Sequence, residues 1–332
     1  MKGRVQTIGL VIGGVVWLCR PADSAAQQRE SALLDADGPP SQPGLAHRGT
    51  TFNFEYMVAS AEPTDVTSVE PIEGERAFAY AGRWLVEVPI APRKWFLGLV
   101  HDIAAASVPA SREPRTGGST FVLGNPELWA RGLWYSVTGL AAGGGIGIVV
   151  PVPRTYPPLE AEVVRAIRVI RPWDYPHFQD LTATARPFFD IRHATGPVTL
   201  QMRQGIDFSI LLRDRDESEN RYDLAALASL YVGLDVFKPL IFGIEVSEVY
   251  QLTADVSSPS CLAPCDEHRI AVTLSPTIRL RLPGFSPAIS AMFPLVTPLR
   301  AEVETYYAAR LNLDVEFGWA IIRPPDEQQG LR

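Results

Sequence analysis

Few side chains in this 332-residue chain have the types and spacing that chemistry needs. His177 stands between Asp174 and Asp180, and a histidine beside carboxylates could act as a general base. The same spacing is far more often that of an ordinary polar loop. The sequence contains no nucleophile elbow, no His-Glu-x-x-His zinc helix and no dinucleotide-binding glycine pattern. We therefore predict that the protein is not an enzyme and uses no cofactor.

Two cysteines near the C-terminal third, Cys261 and Cys265, are the other chemically capable pair. In an oxidising compartment such a pair is expected to form a small disulfide loop. A zinc site would need further ligands, and only His268 is close in sequence. The acidic stretch 214–220 lacks the glycine and the closing glutamate of a calcium loop. We expect a disulfide and no metal site.

The N-terminus indicates export. Lys2 and Arg4 precede a short apolar run from Ile8 to Cys19, and small residues at 24–26 would permit cleavage, so residues 1–26 are predicted to be a signal peptide. A lipoprotein modification of Cys19 is the weaker alternative. Without this segment the chain holds 27 basic and 36 acidic residues, which argues against nucleic acid as a partner. Residues 27–49 are polar and contain proline and glycine, which is typical of a flexible leader.

Alternation of apolar and polar residues dominates the rest of the chain. From Val198 to Ile210, apolar side chains occupy nearly every second position and polar ones lie between them. A period of two is typical of a β-strand, and thirteen residues is long for a soluble strand but suits one that crosses a bilayer. Twelve segments follow this pattern: 51–59, 82–91, 95–104, 127–138, 142–152, 182–193, 198–210, 228–236, 239–253, 270–282, 286–296 and 302–317.

The connections between these segments alternate between short and long. Short turns are predicted at 92–94, 139–140, 194–196, 238–239 and 283–284, and long loops at 60–81, 105–126, 153–181, 212–221, 254–267 and 297–301. Outer-membrane barrels have short inner turns and long outer loops. The fold class predicted is therefore all-β: a closed antiparallel transmembrane barrel of about twelve strands over residues 50–317, with a C-terminal tail at 318–332.

Closure in lipid would place the apolar face outside and the polar face inside. The predicted pore-lining residues are Arg186, Asp190, Arg192, Arg203, Asp207, Asp235, Glu245, Arg279, Arg281, Glu304 and Arg310. Two interpretations stay open: ion pairs that fill a narrow barrel, or a charged constriction that selects solutes. The aromatic residues, Phe96 and Trp129 among them, are predicted to form girdles near the strand ends.

Residues 157–171 interrupt the alternation. A proline start, early glutamates, late arginines and a proline stop predict a helix in the longest outer loop. Leu159, Val163, Ile167 and Ile170 would form its apolar stripe. The helix either folds into the mouth of the barrel and narrows it, or caps the loop on the surface.

Several short motifs resemble one known family. Gly124-Asn125-Pro126-Glu127-Leu128, the glycine-rich strand that ends at Pro151, and Arg186-Pro187-Phe188 are similar to motifs of outer-membrane proteins assigned to the meta-cleavage pathway of phenol degradation. The resemblance implies an outer-membrane barrel that admits small, often hydrophobic molecules, and it implies no catalytic residues.

The sequence thus predicts an outer-membrane barrel for passive or facilitated diffusion of a small organic solute, hydrophobic or aromatic in character. The expected partners are membrane lipid and that solute. The alternative is a non-conducting structural barrel whose outer loops bind a partner.

Overall fold

The computed structural model describes residues 50–63, 77–91, 95–108, 118–135, 140–153, 160, 163–164, 167, 170–213, 221–237, 239–253, 269–282, 284–296 and 303–317. The predicted signal peptide, leader, C-terminal tail and cysteine pair lie outside these residues.

Thirteen strands make up the sheet. They are β1 (Thr50–Pro63), β2 (Ala77–Ala91), β3 (Trp95–Val108), β4 (Gly118–Leu123), β5 (Glu127–Tyr135), β6 (Leu140–Val149), β7 (Thr182–Thr195), β8 (Val198–Leu211), β9 (Tyr222–Phe237), β10 (Leu240–Gln251), β11 (Ile270–Leu280), β12 (Phe285–Val296) and β13 (Val303–Phe317). A short 3₁₀ helix, Pro172–Phe178, lies between β6 and β7.

The sheet closes on itself as a barrel of twelve strand positions. Except for β4 and β5, each strand pairs antiparallel with its sequence neighbour, and β1 also pairs with β13. The strands β4 and β5 occupy one position, because both pair with β3 and only residues 124–126 separate them. The predicted closed barrel is confirmed. The predicted loop at 105–126 was wrong in part, since β3 and β4 extend into it as a paired hairpin.

Burial follows the predicted alternation. On β8, Gln201, Asp207 and Ser209 are buried, whereas Ile206 and Phe208 are exposed. Large exposed apolar side chains cover the outside of the barrel all round, including Trp95, Leu128, Leu230 and Ile289. Among the described residues no helix is long and apolar enough to span a membrane. The exposed apolar belt is the surface that lipid covers in a membrane barrel.

Prolines inside the strands weaken the hydrogen-bond ladder locally, because proline has no N–H to donate. Between β7 and β8 the pairing runs to Ala185 with Phe208 and resumes at Phe188 with Gly205, so Pro187 stands at a gap. Pro276 stands at a similar gap between β11 and β12. Two turns use glycine with positive φ, Gly196 at 56° and Gly284 at 68°, where other residues would be strained.

The segment before β7 folds into the barrel. Glu160, Val163, Val164, Ile167 and Ile170 are helical, as the sequence predicted. The apolar stripe of Val163, Ile167 and Ile170 is completely or almost completely buried. It packs in one cluster with inward-facing residues of the strands: Met57, Ala59, Ala79, Ala81, Ala104, Ala106, Val122, Met292 and Ala308. The helix therefore lies in the lumen, which is the first of the two predicted alternatives.

The apolar lining corrects the prediction of a polar interior. A helix docked in the lumen must bury its apolar stripe against something apolar, and small alanines leave room for it. Among the described residues, buried charges such as Glu87, Arg131 and Asp190 lie in the part of the lumen beyond the helix.

Candidate functional site

A layer of charged side chains holds the lumen segment to the barrel wall. Arg171, which follows the helical residues, contacts Glu55 of β1 at 3.0 Å and also pairs with Asp174. Asp174 in turn contacts Arg83 of β2, whose Nε lies 2.8 Å from Asp102 Oδ1 on β3. All five side chains are almost entirely inside the protein, so each charge depends on its partners.

His177 is buried at the centre of this layer. Its Nδ1 contacts Asp102, and its Nε2 lies 2.8 Å from Glu127 Oε2 and 3.1 Å from Arg186 Nη1. Burial alone would lower the pKa of His177, but the carboxylates of Asp102 and Glu127 outweigh it and raise the pKa above its ordinary value. The His177 ring thus lies between two carboxylates that favour its protonated form.

Arg186 links the same segment to the far wall. Its Nε donates to Asp207 Oδ1 at 2.8 Å, its Nη1 donates to Glu127 Oε2 at 2.9 Å, and its Nη2 donates to the backbone oxygen of Trp173 at 2.7 Å. One side chain therefore connects β5, β7, β8 and the 3₁₀ helix.

A second charged layer lies further toward the inner ends of the strands. Arg131 Nη2 contacts Glu87 Oε1 at 2.6 Å, and Arg203 Nη2 contacts Asp190 Oδ2 at 2.7 Å. The guanidinium of Arg203 also lies over the ring of Phe188, 4.5 Å from its centroid. Such contacts add cation–π attraction to the ion pairs.

Phe96 and Trp129 take part in this layer, so their predicted place in an outer girdle was wrong. Both are buried inside the barrel, where Arg131 lies 5.1 Å from the Phe96 centroid and 5.2 Å from that of Trp129. Trp95 and Trp134, by contrast, are exposed on the outer surface close to strand ends. The alternation phase separates the two groups: Trp95 and Phe96 are adjacent and must point to opposite faces.

A cavity of about 140 Å³ lies among these charges. Leu85, Val100, Trp129, Trp173 and Phe188 give it an apolar and aromatic wall. The polar part of the lining consists of charged, amide or hydroxyl residues: Asn53, Glu55, Arg83, Glu127, Asp174, Arg186, Arg203, Asp207, Ser229, Ser247 and Glu248.

Glycines make this arrangement possible. A Cβ added to Gly98 would lie 1.7 Å from Trp129 Nε1, and one added to Gly147 would lie 1.9 Å from Glu127 Oε1. Any larger residue at either position would displace a side chain of the site. The glycine-rich strand β6 therefore provides space for the lining residues, as the sequence interpretation of close approach required.

Three of the predicted lining residues, Arg186, Arg203 and Asp207, line the cavity, and Asp190 pairs with Arg203 beside it. Four others are buried elsewhere in the lumen: Arg192, Glu245 and Arg310, which pair at 3.2 Å, and Arg279, which pairs with Asp314 at 3.1 Å. Asp235 and Arg281 pair at 3.3 Å near the inner end and are partly exposed. The side chain of Glu304, together with Cys261 and Cys265, lies outside the described residues.

Sequence reasoning missed Arg83, Asp102, Glu127 and Arg171, although it noted Glu127 within a motif. The alternation of apolar and polar residues is weak in β2 and β3, because the apolar side chains of Leu85 and Val100 also point inward. It grouped His177 with Asp174 and Asp180, whereas the ring contacts Asp102 and Glu127. The sequence signal that could have identified these residues is a charged residue within each of several neighbouring long strands.

Among solved structures, the chain is similar to an outer-membrane channel of the COG4313 group from Pseudomonas putida F1. The TM-score is 0.59 at 9% identity, and the match covers 85% of this chain and all of that one. The chain has the fold of an outer-membrane β-barrel channel. The NanC porin is a more distant match, with a TM-score of 0.48 at 10% identity over 81% of this chain and all of that one. No family model and no curated protein matches the sequence.

The helix, the charged layer around His177 and the layer around Arg131 follow one another along the axis, and the cavity lies between the two charged layers. The geometry of the barrel therefore offers a binding cavity with a docked segment above it.

Proposed function

We propose that this protein is an outer-membrane channel for diffusion of a small organic solute, and that the cavity is where the solute binds. The observation that carries the proposal is the cavity itself. Its aromatic and apolar wall of Trp129, Phe188, Leu85 and Val100 would bind an apolar body, and the polar groups opposite would orient it.

The charges of the cavity favour a neutral solute over an anion. The lining arginines Arg83, Arg186 and Arg203 each contact a carboxylate at hydrogen-bond distance. An anion would have to displace one of these buried carboxylates, which would leave a charge without its partner at a cost of about 3–5 kcal/mol. A neutral aromatic molecule that carries one hydrogen-bonding group matches the lining without such a loss.

The finer family assignment remains part of this proposal. Motifs around Gly124, Pro151 and Arg186 resemble the barrels assigned to phenol meta-cleavage, and a hydroxylated aromatic solute suits the cavity described above. Export through residues 1–26, location in the outer membrane and a disulfide between Cys261 and Cys265 belong to the same proposal.

A second candidate function follows from the helix in the lumen. A barrel whose interior is permanently filled would serve as a structural or surface-interaction protein, and the burial of Val163, Ile167 and Ile170 favours it. The two functions differ in whether the lumen segment can move away from its docked position inside the barrel.

Purified protein in planar lipid bilayers tests the proposal. We expect discrete single-channel steps, and we expect 1-naphthol, as a neutral aromatic probe, to reduce the current by occupying the cavity. Trp129→Ala, which removes a large aromatic side chain of the barrel wall, should abolish the block by 1-naphthol and keep the steps. Folded protein that gives no steps at any voltage or pH would support the structural barrel instead.

A further inference from the structure

Two side chains at the inner edge of the cavity each bury a polar atom that has no hydrogen-bond partner among the described residues. One atom is Nε1 of Trp129 on β5, which is a donor, and the other is Oε2 of Glu87 on β2, which is an acceptor. The two residues are only 6% and 0% exposed. Buried polar groups are nearly always hydrogen-bonded in native proteins, so this donor and this acceptor indicate a bound polar group.

Gly98 of β3 lies between these two residues and brings their polar atoms close. It pairs with Trp129 on one side and with Glu87 on the other. A Cβ at Gly98 would lie 1.7 Å from Trp129 Nε1, so the N–H edge of the indole occupies the side-chain position of residue 98. Because Cβ atoms of directly paired residues are about 5 Å apart, the N–H edge lies about that far from the Cβ of Glu87. One oxygen atom between them can contact both groups.

Arg131 fixes both side chains without using either of these atoms. Its Nη2 donates to the other carboxyl oxygen of Glu87, Oε1, at 2.6 Å. Its guanidinium lies 5.2 Å from the centroid of the Trp129 ring. The ion pair and the cation–π contact hold Glu87 and Trp129 in place relative to each other, so the donor and the acceptor are preorganised for the same ligand atom.

The apolar wall of the cavity begins two residues further along the same strands. On β2, Leu85 lies two residues from Glu87. On β3, Val100 lies two residues from Gly98 in the same direction along the barrel. Leu85 and Val100 point inward and pack with Trp129. Two residues of a strand span about 6.6 Å, which is similar to the length of a phenol molecule. An aromatic ring against Leu85 and Val100 would therefore place its hydroxyl group beside Glu87.

We propose that Trp129 and Glu87 form a hydroxyl-binding subsite, and that the solute is an aromatic molecule with a free hydroxyl group. The hydroxyl donates to Glu87 Oε2 and accepts from Trp129 Nε1, so only a group that does both satisfies the two atoms. A ketone, an ether or a carboxylate cannot donate. The inference rests on the proposed function and deepens it, since it names the polar group of the solute and the residues that bind it.

Three blockers of similar size test the subsite in planar bilayers: 1-naphthol, 1-methoxynaphthalene and 1-methylnaphthalene. The first donates and accepts, the second only accepts, and the third does neither. We expect the wild type to bind 1-naphthol about tenfold more tightly than either of the others, because only 1-naphthol makes both hydrogen bonds.

Trp129→Phe removes the N–H and keeps an aromatic ring in the cavity wall. It should lower the preference for 1-naphthol over 1-methylnaphthalene to about threefold, because one of the two hydrogen bonds is lost. Trp134→Phe is the matched control, since Trp134 is exposed on the outer surface, and it should keep the wild-type preference. Heat-modifiable migration in gels reports the folded amount of each variant.

Equal affinity of the wild type for 1-naphthol and 1-methylnaphthalene would overturn the subsite and leave the diffusion channel standing. That result would show that the two buried atoms serve each other or bound water instead of the solute. An unchanged preference in Trp129→Phe would overturn the subsite as well. A wild type that conducts no current, or that none of the three compounds blocks, would overturn the proposed function itself.

Discussion

Replacing His177 should release the lumen segment. His177→Gln keeps most of the side-chain volume but removes the positive charge between Asp102 and Glu127. Both carboxylates keep an arginine, Arg83 and Arg186 respectively, so no buried charge is left alone. The glutamine amide can donate to one of the two carboxylates, so the net loss is one charge-assisted hydrogen bond, which costs the docked state about 1.5–3 kcal/mol.

That loss corresponds to a rise of about tenfold to a hundredfold in the ratio of undocked to docked segment, because each 1.4 kcal/mol changes an equilibrium constant by about tenfold. The open probability in planar bilayers should rise by this factor while it remains far from saturation. His193→Gln, on the outer face of β7 near the inner turn, is the matched control and should behave as the wild type.

The open probability should depend on pH in a definite direction. His177 binds its proton more tightly when docked, because Asp102 and Glu127 raise its pKa, while Arg186 stays charged and opposes them. The proton-linked preference for docking is therefore complete below about pH 6.5, the ordinary histidine value, and disappears as pH rises through the raised pKa. Wild-type open probability should increase over that interval, and His177→Gln should be flat. Equal pH responses of the wild type and both variants would contradict the role of His177 in docking the lumen segment.

Three further changes test other parts of the structure. Ile167→Asp places an unpaired carboxylate in the apolar seam of the lumen helix, so open probability in bilayers should rise, and an unchanged value would count against docking. Gly98→Leu must displace the Trp129 indole, so block by 1-naphthol should be lost and stability should fall by about 1–3 kcal/mol in urea unfolding. Ile244→Arg puts a charge on the lipid-facing surface and should lower stability in lipid vesicles by about 2–4 kcal/mol, whereas Ile244→Phe should not; equal stability of the two would contradict the assigned face.

The barrel could be predicted from the sequence because its rule is local. Successive residues of a strand must face opposite sides, so the two faces of Val198–Ile210 could be assigned without information about the neighbouring strands. The short turns at Gly196 and Gly284 were equally local, since glycine marks a backbone conformation that other residues avoid. Twelve such segments needed no long-range information to be counted.

The candidate site could not be predicted in the same way, because it depends on contacts between distant strands and the lumen segment. Arg83 and Asp174 are partners across 91 positions, and nothing in either strand or loop alone indicates the pairing. The inward apolar residues Met57, Leu85 and Val100 also obscured the alternation of their strands, since they serve the docked helix or the cavity rather than lipid or water.

The account depends on β8 having one face in lipid and the other against a filled lumen. Spin labels placed singly at residues 200–209 in lipid nanodiscs measure this through their collision rate with dissolved oxygen, which concentrates in hydrocarbon. We predict high rates at Leu200, Met202, Ile206 and Phe208 and low rates at Gln201, Arg203 and Asp207. Rates without a period of two would contradict the membrane barrel, and with it the cavity and the docking of the lumen segment through His177.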